Sequence, residues 1–265
     1  MDFSQLLQAV RNNPQAVNIP PQWGQGRASF GGIVAALVYE AMRAKVEAVR
    51  PVRSLAITFV GPAEANVPIS FEVEVLREGR AVSQVLGRAV QQGQVVALVQ
   101  GSFGAGRPSV IDLPSLAAPQ APSYEQCKEL PFIPGVTPDF TRYFAMRWCF
   151  GGVPFSNTPS RHMGGWVQLR DQQQTEPVNE AHLLALVDSW PPAVLPYLSA
   201  PAAGSSLTWT IEFVQPVASL TTQDWCLYRA EIEHARDGYG HVSAALWTQS
   251  GELLAISRQT VAVFA

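Results

Sequence analysis

The stretch AHLLALVDSWPPAVLPYLSAPAAGSSLTWTIEFVQP, residues 181–216, decides how this chain is read. It opens with an apolar helical segment, predicted over 180–189 with Asn179 as its cap. The helix carries one carboxylate, Asp188, and stops at Pro191-Pro192, because proline has no N–H to donate and its ring clashes with the preceding turn. After a small-residue loop a strand rises through Thr208, Thr210 and Glu212. An acid at the end of an apolar helix has two readings. It is either a local partner for backbone or arginine, or a buried group with chemistry to do.

The same unit occurs once before. SLAITFVGP at 54–62 matches LTWTIEFVQP at 207–216, and the anchors Pro62 and Pro216 set an offset of 154 residues (216 minus 62). Strand 67–78 matches 224–235, strand 81–91 matches 240–249, and strand 94–103 matches 252–263, with turns at Glu78-Gly79-Arg80 and Asp237-Gly238-Tyr239. The helix ahead of each meander matches as well, 30–47 against 180–190. Order, turns and strand lengths agree, so the chain is read as a tandem duplication. The expected class is α+β, with units at 1–105 and 139–265 joined by a Pro-rich crossover at 106–138. Each long helix is expected on the concave face of its own antiparallel sheet, with pockets at the seam.

Outside the echo, Phe3, Leu6, Leu7 and Val10 share a face and predict a helix over 2–13. Residues 17–27 read as strand and turn around Trp23. The run SFGGIVAALVYEAMRAKVE at 29–47 begins with a glycine pair, Gly31-Gly32, that permits close packing or presents helix N–H groups to an oxygen. The crossover is expected to be packed rather than free, since Leu113, Leu116, Leu130, Phe132 and Ile133 recur in it. Two further strands are expected at 141–150 and 164–171.

The 265 residues are 47% hydrophobic and 15% charged, with net charge −3, so there is material for a large core and no basic footprint for nucleic acid. The N-terminus does not read as a signal peptide, and no apolar run reaches membrane-spanning length. Cys127, Cys149 and Cys226 have no metal spacing. Their odd number argues against a disulfide scaffold and fits a reducing, cytoplasmic setting. His162, His182, His234 and His241 are scattered, and no metal site is expected.

These residues resemble the TesB-like acyl-CoA thioesterases of the double-hotdog type, over nearly the whole chain. The resemblance is carried by Phe30-Gly31-Gly32, GSF at 101–103, LLALVDSWPPAVLP at 183–196, SLTWTIEF at 206–213 and LLAISRQTVAV at 253–263. It implies hydrolysis of an acyl-CoA to a carboxylic acid and CoA, with no cofactor beyond that substrate. It implies catalytic roles for Asp188, Gln259 and a hydroxyl: Ser206 by counting back from Pro216, with Thr208 and Thr210 as alternatives. Phe30, Gly31, Gly32 and Thr210 are implied on the substrate side. The family's Asp-His-Ser-Met-Trp run is replaced here by Thr-Trp-Thr-Ile-Glu. Asp188 is the expected base or water orienter, its pKa raised by apolar neighbours or by Glu212. The expected oxyanion donor is a backbone N–H near Gly31 or Gly32. No GxSxG elbow for covalent catalysis occurs. Arg147, Arg161 and Arg258 are candidates for CoA phosphates, against structural roles. The competing functions are a hydratase or dehydratase on the same architecture and a non-catalytic acyl-binding protein. A homodimer or higher homo-oligomer is expected from exposed sheet edges.

Overall fold

The computed structural model describes residues 1–170 and 175–265. Helix α1 (Phe3–Asn12) is closed by a reciprocal cap, with Gln5 N donating to Asp2 Oδ1 (2.8 Å) and Asp2 N donating to Gln5 Oε1 (2.9 Å). Its Phe3, Leu6, Leu7 and Val10 are buried. A two-strand hairpin, β1 (Gly24–Gln25) and β2 (Ala28–Ser29), occupies part of 17–27, where a longer strand was expected. Helix α2 (Gly31–Arg43) and four strands follow: β3 (Val52–Phe59), β4 (Ile69–Glu78), β5 (Val82–Gln91) and β6 (Gln94–Gly104).

The second unit adds β7 (Lys128–Leu130), β8 (Phe144–Phe150) and β9 (His162–Leu169) ahead of helix α3 (Glu180–Asp188). The expected strand 164–171 thus begins earlier, and residue 171 lies outside the described residues. Strands β10 (Ala203–Phe213), β11 (Cys226–Arg236), β12 (Tyr239–Thr248) and β13 (Leu253–Phe264) complete the meander. Helix α3 starts where Asn179 Oδ1 accepts from the N–H groups of Ala181 (3.0 Å) and His182 (3.3 Å). His182 Nδ1 accepts in return from Asn179 N (3.1 Å), so a neutral imidazole does the work of the usual Glu or Gln.

The two meanders form one continuous sheet of order β4-β5-β6-β3-β10-β13-β12-β11-β9-β8-β7. The units join where β3 and β10 pair antiparallel, Ser54 opposite Glu212 and Thr58 opposite Thr208. At the offset of 154 read from the sequence, Ala56 is the counterpart of Thr210, and these two residues face each other in the ladder. The axis relating the units therefore passes through the Ala56–Thr210 pair. The bulges obey it too: β3 shifts register between Val52 and Ser54, β10 between Ser206 and Thr208. The structure is thus a double hotdog, two helices wrapped by one curved antiparallel sheet.

Helices α2 and α3 run antiparallel beside that axis. Gly32 lies against Asp188 at one end of the pair, and Tyr39 Oη donates to Glu180 Oε2 (3.0 Å) at the other. Every residue of α2 from Gly32 to Met42 is buried, since sheet, α1 and α3 cover all its sides. This explains why its sequence is apolar all round rather than striped.

The crossover is held by a different means from the one expected. Leu113 and Leu116 are 81% and 60% exposed. The anchors are tryptophans on the outer face of the second unit's sheet. Trp247 Nε1 donates to the Leu116 carbonyl and Trp166 Nε1 to the Pro122 carbonyl, both at 2.9 Å, while Tyr124 stacks on Trp225. Buried indole N–H groups need acceptors, and an irregular Pro-rich chain has spare carbonyls. The cysteine expectation also needs correction. Cys127 and Cys149 lie across the β7–β8 pairing with Cα atoms 5.7 Å apart, joined as a disulfide, and only Cys226 is free. Twenty-two residues separate them in sequence, and only the antiparallel return of the chain brings them together. Among the described residues, no helix is long and apolar enough to cross a membrane.

Candidate active site

Asp188 is the last residue of α3, and its carboxyl meets groups from two other elements, with a hydroxyl from a third bonded behind one of them. Gln259 Nε2 on β13 donates to Asp188 Oδ1 at 2.8 Å. Ser206 on β10 donates from Oγ to Gln259 Oε1 at 3.4 Å, a loose contact. The Gly32 backbone N–H at the start of α2 faces the same carboxyl. Asp188, Gln259 and Ser206 are thus brought into one hydrogen-bonded row, at the end of α2 that carries free N–H groups and positive dipole.

The local sequence explains the approach. A Cβ at Gly31 would stand 3.0 Å from both Asp188 Oδ2 and the Phe59 ring. A Cβ at Gly32 would stand 2.4 Å from the Phe30 ring and 3.0 Å from Asp188 Cβ. The Phe30 ring cannot yield, because it stacks on Phe140 (centroids 4.1 Å) and meets Phe144 edge-on. Only glycine lets the helix start touch the acid.

Burial pushes the Asp188 carboxyl up from 3.8 to about 7; the hydrogen bonds from Gln259 and Gly32 favour the charged form and offset only part of this. The residue as a whole is half-buried, and its carboxyl is enclosed. Glu212 is not among the causes. It sits on the exposed face of β10, with its own carboxyl raised by partial burial.

Thr208 and Thr210 are not in this row. Both are exposed, and alternation along β10 turns them away from buried Trp209, toward the outer face. The bulge at Leu207 breaks that alternation, and Ser206 is the hydroxyl that ends beside Gln259.

Reading residue types alone did not find the aromatic wall next to the acid. Tyr228 on β11 is buried, and burial together with the charge of Asp188 drives its hydroxyl pKa upward. Trp190 stacks on Tyr228 (centroids 5.2 Å), and Trp148 tilts against Trp190 (5.0 Å). Trp190 Nε1 is buried with no partner among the described residues. The signal was present only as the nearness of Trp190 to Asp188 in sequence.

The duplication builds an equivalent place in the first unit, and it is filled. The counterpart of Ser206, 154 residues earlier, is Val52. Gln259 faces Trp209, whose counterpart Leu55 faces Gly101, and a Cβ there would stand 2.7 Å from Met42. The acid's place in the antiparallel helix pair is taken by Tyr39, bonded to Glu180, which Gln215 Nε2 also holds at 2.7 Å. One unit keeps the polar row; the other packs it shut.

His182 is buried at the opposite end of α3, its pKa lowered to about 4 mainly by burial. Of the candidate phosphate ligands, Arg147 is taken by Glu129 and Arg258 by Glu233. Arg161 donates to the Ile232 carbonyl at 3.0 Å.

A helix pair wrapped by one curved antiparallel sheet defines the double-hotdog class, and here an acid lies at the junction of the helices. Two family models match this chain, one described as the acyl-CoA thioesterase N-terminal domain over residues 19–104 and one as the C-terminal domain over 124–263. The chain belongs to that TesB-like thioesterase family. Acyl-CoA thioesterase 2 of Haemophilus influenzae is 24% identical over 252 residues, covering 88% of this chain and 86% of its own. Among solved structures, a protein of unknown function with a hot dog fold from Alicyclobacillus acidocaldarius is similar, with TM-score 0.83 and 23% identity over 94% of this chain and 92% of its own. So is acyl-CoA thioesterase II TesB2 of Mycobacterium marinum, with TM-score 0.72 and 20% identity over 94% and 92%. Family membership supports hydrolysis of an acyl thioester in general terms.

Proposed function

We propose that this protein hydrolyses acyl-CoA thioesters, with Asp188 as general base. The observation that carries the reading is the enclosed Asp188 carboxyl, titrating near neutrality and held by Gln259 at 2.8 Å. A water between Asp188, Gln259 and Ser206 loses a proton to the carboxylate as its oxygen attacks the thioester carbonyl. The oxyanion forms beside the first turn of α2. The Gly32 N–H already serves the carboxyl, whereas the Gly31 N–H has no partner among the described residues, so Gly31 is the better donor. Collapse of the tetrahedral intermediate breaks the carbon–sulfur bond, and the departing thiolate takes the proton back from Asp188. Trp148, Trp190 and Tyr228 supply an apolar wall for the acyl group.

Hydratase chemistry pairs a histidine with an acid, and the histidine of α3 lies at the far end of that helix, committed to its cap. Hydrolysis therefore fits better. The test is release of free thiol from acyl-CoAs of several chain lengths. Asp188→Asn is expected to lower kcat by about 10²–10⁴-fold, the range of a general base. No turnover by the native protein on any chain length contradicts the reading. Equal turnover by the variant removes Asp188 from the mechanism.

A further inference from the structure

The two walls of the candidate site both lead to a groove that the mechanism above does not use. Along β13, Gln259, Val261 and Val263 share one face, because side chains two apart point the same way. Val263 lines the groove, about 13 Å from Gln259 at strand rise. The chain that leaves Asp188 turns at Pro191-Pro192 and supplies the opposite wall through Val194, Tyr197 and Leu198. Val194 also packs against Gly240, which fastens this loop to the end of the sheet. The cavity measures about 560 Å³, within the size range of small-molecule sites.

Its lining has the chemistry of an anion site with aromatic sides. Arg161 and Arg236 contribute guanidinium groups. The lining carboxylate, Glu233, is already bonded to Arg258, whose Nη1 lies 3.2 Å from Glu233 Oε1. Arg161 spends one nitrogen on the Ile232 and Glu233 carbonyls, which fixes its position. Arg236 has no hydrogen-bond or ion-pair partner among the described residues. Tyr197 and Tyr239 line the groove with 44% and 50% of their surface exposed, large half-covered rings at its edge.

We propose that this groove receives the phosphorylated adenosine end of the coenzyme A thioester, with Arg236 and Arg161 on phosphate and a tyrosine face on the base. The assignment rests on the thioesterase reading and deepens it. The pantetheine arm then spans the roughly 13 Å between the groove and Gln259 and places the carbonyl beside Asp188. Guanidinium groups suit phosphate because their planar donors match its oxygens.

Two measurements separate the groove from the chemistry. Calorimetry with adenosine 3′,5′-bisphosphate, which has no thioester, reads the groove alone. Native protein is expected to bind it, and Arg236→Glu to bind at least about tenfold more weakly, since one charge-assisted contact is lost and a repulsion gained. Tyr239→Ala is expected to weaken binding as well, with both variants matching native thermal unfolding because both residues are exposed. In steady-state kinetics Arg236→Glu is expected to raise KM for an acyl-CoA about tenfold while sparing kcat, and to leave the same acyl group on pantetheine unaffected. Absence of bisphosphate binding overturns the groove, whatever the hydrolysis result. So does an equal KM change on both substrates, or native activity confined to thioesters on a carrier protein. If native protein hydrolyses no thioester, the reading of Asp188 fails, and calorimetry still decides the groove.

Discussion

A carboxyl that titrates near neutrality is a usable base at physiological pH, and Asp188 reaches that range because burial outweighs two hydrogen bonds. Hydrolysis is expected to rise with pH through an apparent pKa of about 7, since the ionised form is the base; a profile flat between pH 5 and 9 contradicts this. The same shift acts on stability with a definite sign. Between the ordinary value of 3.8 and about 7 the native protein holds a proton that the unfolded chain releases, so stability falls as pH rises across that window. Asp188→Asn keeps an oxygen for Gln259 and removes the buried charge. At pH 8 it is therefore expected to raise Tm, by roughly 2–4 °C per kcal/mol recovered, while lowering activity. Thermal unfolding at pH 5 and pH 8 checks this, because the gain must vanish at the lower pH. The hydroxyls separate in the same way. Ser206→Ala is expected to cost activity about tenfold, whereas Thr208→Val and Thr210→Val, on the outer face, are expected to leave kcat/KM within about twofold.

At the scale of elements, the decisive contact is one helix start against another helix's end. Helix α2 presents free N–H groups to Asp188 only because Gly31 and Gly32 carry no Cβ. Gly32→Ala forces its methyl into the stacked Phe30 ring, so the helix start must shift away from the acid. We expect a loss of roughly 1–3 kcal/mol, the usual cost of overpacking, with a fall in kcat larger than the fall in Tm explains. Gly31→Ala meets Asp188 Oδ2 and Phe59 at 3.0 Å, where small adjustments suffice, so its stability cost is expected to be smaller. Denaturant unfolding and steady-state kinetics on the two variants test the ordering. The Phe-Gly-Gly run was legible as a helix start with close approach. What it approaches was not, since Asp188 lies in the other unit, far along the chain.

For the whole molecule, the duplication yields two equivalent places and a single polar row. Met42 and Phe103 crowd Gly101 where the second unit has Gln259 facing Asp188, so one catalytic centre per chain is expected. Active-site titration against a thioester transition-state analogue is expected to give one site per chain. The disulfide fastens the edge strand β7 to β8 at the far end of the sheet. Under denaturing, non-reducing conditions a thiol reagent is expected to find one thiol, Cys226, and three after reduction. Loss of the crosslink is expected to cost roughly 2–4 kcal/mol, the range for loops of this kind, read as a lower Tm in reductant.

The amino-acid sequence by itself determined the repeating helix-plus-meander unit, the strand lengths and the candidates Asp188 and Gln259. Those features are local: alternation, turn residues and prolines act within a few positions of themselves. The equivalence of Ala56 and Thr210 was latent in the offset of 154. Tertiary structure alone decided that the two sheets fuse through β3 and β10, because pairing between edges depends on which backbone groups are left free. It also decided which hydroxyl accompanies Gln259. Counting back from Pro216 points to Ser206 but leaves Thr208 and Thr210 as alternatives, since all three share one parity on the strand, and a single bulge at Leu207 sets Ser206 beside Gln259 while the threonines face outward. The cysteine pair and the tryptophan-held crossover belong to the same class. Each joins residues whose proximity exists only after the sheet has closed over its helices.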